Sequence, residues 1–329
     1  MPQDSYAYAC GRIAVLSKRL LDSNAVRRMA DGSESDALRI LSDLHYGGLS
    51  DLAEIDIERI IEREMTSVIA EIMELTPCRE ITDLFFLRAD VQNLKILLKS
   101  RLLGRTAETW TVGGLFDREQ LASMVKEQKY SGLPKVIMTE LNALEKRLLH
   151  HVDPQEISVT LDRAYLQHCL NSVKKDPFFH HYFASMADFD NVLTFFRMRA
   201  MGAGVHVLED VLLAEGGIRL HQFIDAYDLP AEAVNKLFHS SVCTDALLRA
   251  AAAMQKSGSI NELEKAREDY LLSLFNDKRF ESDSIYPIVG YYLAKERESR
   301  AVRLVLTAKR NHLPESMIRE RLVKLYGER

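Results

Sequence analysis

The chain has 329 residues, 47% of them apolar and 28% charged, with 15 glycines and 8 prolines, which supports a large apolar core and argues against a disordered or fibrous polymer. Its net charge of −5 provides no concentrated positive surface of the kind a nucleic-acid backbone requires. No stretch approaches the roughly 18 apolar residues of a membrane span, and "MPQDSYAYACGR" has no apolar leader core, so the chain is expected to be soluble and unsecreted.

In chain order, the first long element is "SDLAEIDIERIIEREMTSVIAEIMELTP", in which Ile57, Ile60, Ile61, Met65, Val68, Ile69, Ile72 and Met73 recur at steps of three and four. The spacing predicts an amphipathic helix capped by Ser50 or Asp51 and stopped by Pro77. "DVQNLKILLKSRLLG", Asp90 to Gly104, follows, and the pair Gly113-Gly114 comes soon after it. "DPQEISVTLDRAYLQHCLNSVKKDP" predicts another helix, with Asp153 as its cap, Pro154 at its first turn, Ile157, Leu161, Tyr165 and Leu166 on one side, and Pro177 as its stop. "DFDNVLTFFRMRAMG", Asp188 to Gly202, is followed by Gly216-Gly217. No sustained period-two alternation competes with helix anywhere, so the expected fold class is all-α.

The segments beginning at Asp90 and Asp188 repeat one another. Leu94, Leu97 and Leu98 in the first match Val192, Phe195 and Phe196 in the second, a buried stripe at i, i+3 and i+4. The polar matches Asp90/Asp188, Asn93/Asn191, Arg101/Arg199 and Gly104/Gly202 fall along nearly one line of a 3.6-residue helix. A worn third copy, "ESRAVRLVLTAKRNH", keeps an acid at Glu298 and a cation at Lys309, with Ala301 for the asparagine and His312 for the glycine. Units of about 100 to 110 residues predict three similar helical bundles, divided near 1–112, 113–215 and 216–329, in a roughly threefold arrangement. The stripe reads either as hydrogen-bonded partners between helices or as a row facing a partner.

Catalytic signatures are missing: there is no phosphate loop, no HExxH, no GxSxG elbow, and no Glu-x-x-His pair. "GAGVHV" at Gly202 ends a helix and is no dinucleotide motif. His239 and Cys243, four apart on a predicted helix, have no second pair at ligand spacing, and "DFDN" lacks the DDxxD run of helical prenyl-diphosphate enzymes. No catalytic, cofactor-binding or metal residue is assigned. Cys10, Cys78, Cys169 and Cys243, without a CxxC, are expected to be reduced, buried thiols. Trp110 and the cluster "DPFFHHYF" read as core or as interface anchors. Charge is uneven, with ten acids against three arginines from Asp31 to Glu64 and ten basic against five acidic residues from Lys295 to Arg329. The runs read as solvated faces or as patches for partners of opposite charge.

"SYAYACGRIAVLSKRLLD", the two D-x-x-N segments, and above all "IYPIVGYYLAKERESRAVRLVLTAKRNHLPESMIRERL" from Ile285 to Leu322 resemble the C subunit of V/A-type ATPases, the relative of the d subunit of eukaryotic V-ATPases. Ala301 and Thr307-Ala308 depart from the family's usual residues. The resemblance implies a funnel-shaped body of three bundles and a non-catalytic central-stalk adaptor that transmits torque. Its implied partners are the membrane rotor ring of proteolipid subunits and the D and F subunits of the central shaft. Its implied location is the cytoplasmic face of the membrane, with no cofactor and no nucleic acid. A helical-repeat scaffold for another protein or nucleic acid is the alternative, and an all-helical enzyme would need a convergent carboxylate or histidine cluster.

Overall fold

A computed structural model describes residues 5–48, 56–107, 109–322 and 325 of the chain. Every regular element among the described residues is a helix. The chain divides into two compact units, residues 1–82 with 272–329, and residues 83–271, and the divisions fall inside two helices.

The first unit contains α1 (Tyr6–Leu16), α2 (Ser23–Asp31), α3 (Glu34–Asp43), α4 (Ile57–Leu75), the start of α5 (Glu80–Leu102), and, from the other end of the chain, α15 (Tyr286–Arg310) and α16 (Glu315–Arg321). Short polar side chains start α1 to α4 by accepting backbone N–H groups that have no partner within the first turn. Ser5 caps α1, Asp22 caps α2, Ser33 and Asp36 form a reciprocal box on α3, and Asp56 caps α4. The expected caps Ser50 and Asp51 lie outside the described residues. Helix α4 stops at Leu75, two residues before Pro77.

Helices α4 and α15 form the centre of this unit. Ile60, Ile61, Val68, Ile69 and Ile72 of α4 are buried, as are Ile288, Val289, Val302, Val305 and Leu306 of α15. Each such side chain removed from water contributes about 1.5–3 kcal/mol. Amid this apolar packing sits a charged group. Lys295 Nζ donates to Glu64 Oε1 at 2.6 Å and to Glu298 Oε1 at 2.7 Å, and lies 5.3 Å from the centroid of the Tyr46 ring. The remaining carboxylate oxygens are also used: Leu21 N–H donates to Glu298 and Gly47 N–H to Glu64. Burial pulls the Lys295 ammonium down, but the charges of Glu298 and Glu64 outweigh it and leave the group raised. Burial also raises Glu298, against the pull of Lys295.

Among the described residues, members of the two charged runs pair with each other within this unit. Arg303 binds Glu58 through two nitrogens, at 2.7 and 2.8 Å, Arg310 binds Glu34 at 2.7 Å, and Arg319 binds Asp31 at 2.6 Å. These pairs are partly exposed and are worth up to about 1 kcal/mol each.

The second unit holds the rest of α5, then α6 (Arg118–Glu127), α7 (Lys135–Leu148), α8 (Pro154–Ser172), α9 (Pro177–Ala200), α10 (Val205–Val211), α11 (Leu220–Asp225), α12 (Ala231–Val234), α13 (Thr244–Ser257) and most of α14 (Asn261–Ser273). Asp153 caps α8 and Pro154 is its first residue. Pro177 does not stop α8, which ends at Ser172; it opens α9, with Asp176 as the cap. Proline is favoured there because its missing N–H is one of the unpaired donors of a first turn. The aromatic cluster is core: Phe179, Tyr182 and Phe183 are buried, each with its ring centroid 5.3–6.0 Å from that of Phe85. All four cysteines are free thiols; Cys10, Cys169 and Cys243 are buried, whereas Cys78 is exposed beside the α4–α5 turn.

Replacing Lys295 by methionine leaves two buried carboxylates without their cation. The expected loss is about 3–5 kcal/mol in urea unfolding, and the double variant Lys295→Met/Glu298→Gln should recover part of it. A single variant as stable as the parent would show that the triad adds nothing to folding.

Candidate functional site

The repeated stripe occupies three helices, α5, α9 and α15, and makes the same kind of contact on each. Asp90 is fully buried on α5 and accepts the N–H of Leu115 at 2.7 Å and of Phe116 at 3.3 Å. Asp188 is fully buried on α9 and accepts the N–H of Ile218 at 3.0 Å and the hydroxyl of Ser241. Glu298 on α15 accepts the N–H of Leu21 at 2.6 Å. Phe116, Ile218 and Leu21 each stand immediately before the N-cap of a helix, Asp117 of α6, Arg219 of α11 and Asp22 of α2. In every copy the acid on a long helix thus holds the backbone that enters a short helix.

Asparagine supplies the second half of the clamp. Asn93 donates to the Thr111 carbonyl and accepts the Thr111 N–H, both at 2.8 Å. Asn191 donates to the Ala214 carbonyl at 3.1 Å and accepts the Leu213 N–H at 2.7 Å. A carboxamide carries a donor and an acceptor on one plane and satisfies an extended backbone as a neighbouring strand would. In the third copy Ala301 is buried and makes no such bond, and Lys295 beside Glu298 takes the polar role.

The glycine pairs follow from the same contact. A Cβ on Gly114 would overlap the Asp90 carboxylate, and one on Gly216 would overlap the Ala184 carbonyl and Asp188. The backbone must approach the buried acid closely, and only glycine lets it. The second clamp spans a longer return than the first because α10 is inserted between Asn191 and its glycines.

The C-terminal ends of the stripe also agree. Gly104 and Gly202 take left-handed φ values of 61° and 66°, and Arg105 and Ala203 N–H groups reach back to the Ser100 and Met198 carbonyls. His312 adopts φ 53° in the third copy, with the Leu313 N–H on the Ala308 carbonyl, so the turn persists without its glycine. The cations differ in use. Arg101 donates to the Val125 carbonyl and to Glu145, both at 2.6 Å, whereas the Arg199 guanidinium lies 5.5 Å from the centroid of the Phe195 ring and Lys309 is half-buried.

The stripe forms three local clamps, most of whose partners are backbone groups of the segments that lead into other helices. The partners Thr111, Leu213 and Ser241 carry no sequence signal of their own; the glycine pairs at matching positions are the one trace of them. His239 is exposed and Cys243 buried, on either side of a break at Ser241, so they share no helix. Among the described residues no group of three or more His, Cys, Asp and Glu could hold a metal ion. Trp110 is half-buried, with the Arg118 guanidinium 5.6 Å from its ring centroid.

A family model described as ATP synthase (C/AC39) subunit matches residues 9–321. The chain belongs to that family. Curated relatives cover it nearly end to end. The C subunit of the V-type ATP synthase of Thermus thermophilus is 25% identical over 97% of this chain and 99% of its own length. The C subunit of the V-type sodium ATPase of Enterococcus hirae is 21% identical over 93% and 94%, and that of the A-type ATP synthase of Methanocaldococcus jannaschii is 21% identical over 97% and 86%. Family membership makes this an accessory, non-catalytic component of a V/A-type rotary ATPase.

The clamps lead to two expected outcomes. Asn93→Leu and Asn191→Leu each leave backbone groups unpaired, so each should lower stability by about 2–3 kcal/mol and lower the melting temperature of the isolated chain. An unchanged melting temperature would show that the buried asparagines do not hold these turns. Burial, opposed by its two backbone N–H bonds, pushes Asp90 up to about 7. An unfolded aspartate titrates near about 4, so the folded state binds the extra proton between those values, and stability from this group falls as pH rises from about 4 to about 7. Asp90→Asn cannot titrate; its deficit in urea midpoint relative to the parent should shrink between pH 5 and pH 8. A deficit that grows over this range would mean that the carboxylate is held ionised.

Proposed function

We infer that the chain is the central-stalk adaptor of its rotary complex, joining the D and F subunits of the central shaft to the membrane ring of proteolipid subunits. The observation that carries this reading is the end-to-end match to proteins named as the C subunits of V-type and A-type ATP synthases. As an adaptor it would pass torque between ATP turnover elsewhere in the complex and ion movement through the ring, from the cytoplasmic face of the membrane. No described helix is long and apolar enough to cross a membrane.

The three-unit division near 1–112, 113–215 and 216–329 is kept in this reading. It is supported by the cyclic order of the clamps, in which the last long helix of each segment holds the entry to the next and Glu298 of the last returns to Leu21 of the first. A funnel of three bundles is the arrangement proposed. A part that carries torque must resist internal twist, and buried polar bonds at fixed register resist slip better than apolar contact alone.

The test is co-elution of the purified full-length chain with the shaft proteins of its own complex, and separately with the detergent-solubilised ring. Binding to both is expected. Binding to neither by a folded chain would sink the adaptor reading and leave a helical scaffold for another protein.

A further inference from the structure

The third clamp differs from the other two in charge. Asp90 and Asp188 meet neutral donors, backbone N–H groups and the Ser241 hydroxyl. Glu298 meets the Leu21 N–H and the Lys295 ammonium, and the same ammonium meets Glu64. Two carboxylates thus share one cation in a site where the side chains of Glu298, Lys295 and Glu64 are 2%, 4% and 14% exposed. With all three ionised the cluster carries one negative charge in excess, and a charge withdrawn from water without a partner is costly.

The neighbouring charges are engaged elsewhere. On α4, Glu71 is paired with Arg12 of α1, and Glu58 with Arg303 of α15. Asp22, at the cap of α2, is turned to the Ala25 N–H, and α3 buries Ala37, Leu38 and Leu41. On α15, Glu296 takes the Tyr292 hydroxyl, while Arg297 and Arg300 stand on other faces of the helix than Glu298. Burial keeps Tyr291 and Tyr46 neutral, and Tyr46 shares a hydrogen bond of 3.0 Å with Ser299. A single proton would balance the cluster, and it has a place. The Oε1 atoms of both glutamates touch the Lys295 Nζ, so they are no further apart than those two contacts laid end to end, and a hydrogen on Glu298 can turn toward Glu64. Glu298 is the more deeply buried of the two acids, and burial raises its carboxyl.

We propose that Glu64, Lys295 and Glu298 form a pH-sensitive joint between the two ends of the chain, which holds the entry of α2 against α15 while the cluster carries one added proton and loosens when that proton is lost. The joint opens at Leu21. Lys295 is one turn from Glu298 on the same helix, whereas the Leu21 N–H comes from 277 residues away, and parting it lets water reach the carboxylate with α15 intact. Folded Glu298 holds its proton more tightly than an unfolded glutamate, which titrates near about 4.3, so the stability it adds is present at low pH and is lost as pH rises through the folded value. The joint lies wholly within the first unit and needs no partner, so it is independent of the adaptor reading.

Native-state hydrogen exchange of the full-length chain is the test, with each amide rate corrected for the pH dependence of a free amide. In the parent, opening at the Leu21 amide should grow more frequent between about pH 6 and about pH 9, by up to about tenfold per pH unit, the limit for loss of one proton. Glu298→Gln should abolish this slope. Glu64→Gln, which leaves Lys295 to neutralise Glu298 alone, should abolish it too, and the Leu115 and Ile218 amides of the other clamps should respond to neither substitution. A parent without a slope at Leu21, or a slope that survives Glu298→Gln, overturns the joint. A slope lost in Glu298→Gln but kept in Glu64→Gln also overturns it, since burial of Glu298 by itself, and not the shared cation, would then hold the proton. Should Glu298→Gln fail to fold, Glu64→Gln decides: a slope kept overturns the joint, and a slope lost supports it.

Discussion

A buried carboxylate that accepts the backbone N–H just ahead of a helix is the contact on which the rest of this structure depends. Beside each long stripe helix a segment of the chain must turn and start a short helix against the core. The N–H at that point has no partner in the turn, and an unpaired buried donor costs about 1–3 kcal/mol. Asp90, Asp188 and Glu298 supply the acceptor at Phe116, Ile218 and Leu21. Each acid is held in its turn at a cost, because burial raises all three above the usual carboxylate range. The clamp is stable only when the backbone comes close enough to solvate the acid, and this is why glycine faces Asp90 and Asp188.

The third copy shows how the same constraint is met with different chemistry. It lacks a downstream glycine pair and the carboxamide, and the backbone it holds belongs to the other end of the chain. Lys295 fills the gap, neutralising Glu298 and bringing in Glu64 from α4. The ends of the sequence are further joined by Arg303, Arg310 and Arg319 on the acidic residues of α2 to α4 and their flanks. An uneven charge distribution along the chain thus becomes local neutrality within one unit.

For the proposed role these contacts matter more than any cleft. Each ties a long helix to the backbone entering another element at one register, and a one-residue slip would break several bonds at once. The family membership sets the class of complex, and the clamps set the register of the helices in this chain. A few buried polar residues and glycines carry the register, while the apolar columns exchange Leu for Val or Phe between copies at little cost.

Much was legible in the sequence by itself. The all-helical class followed from apolar spacing in α4, α8 and the three stripe helices, because a buried face recurs with the helical period whatever packs on it. The repeat followed from Asp, Asn and Gly in matching registers, and the end of the helix at Gly202 from its glycine. Local signals misled where two readings share one residue: Pro177 ends one helix pattern and begins another, and only the Asp176 cap in three dimensions decides which. The tertiary structure alone decided what the stripe binds, since a backbone N–H at Leu115 or Leu21 looks the same in sequence as any other. It also decided that the acidic and basic runs meet, because Arg319 and Asp31 are 288 residues apart, and nothing local in a chain encodes a pairing at that separation.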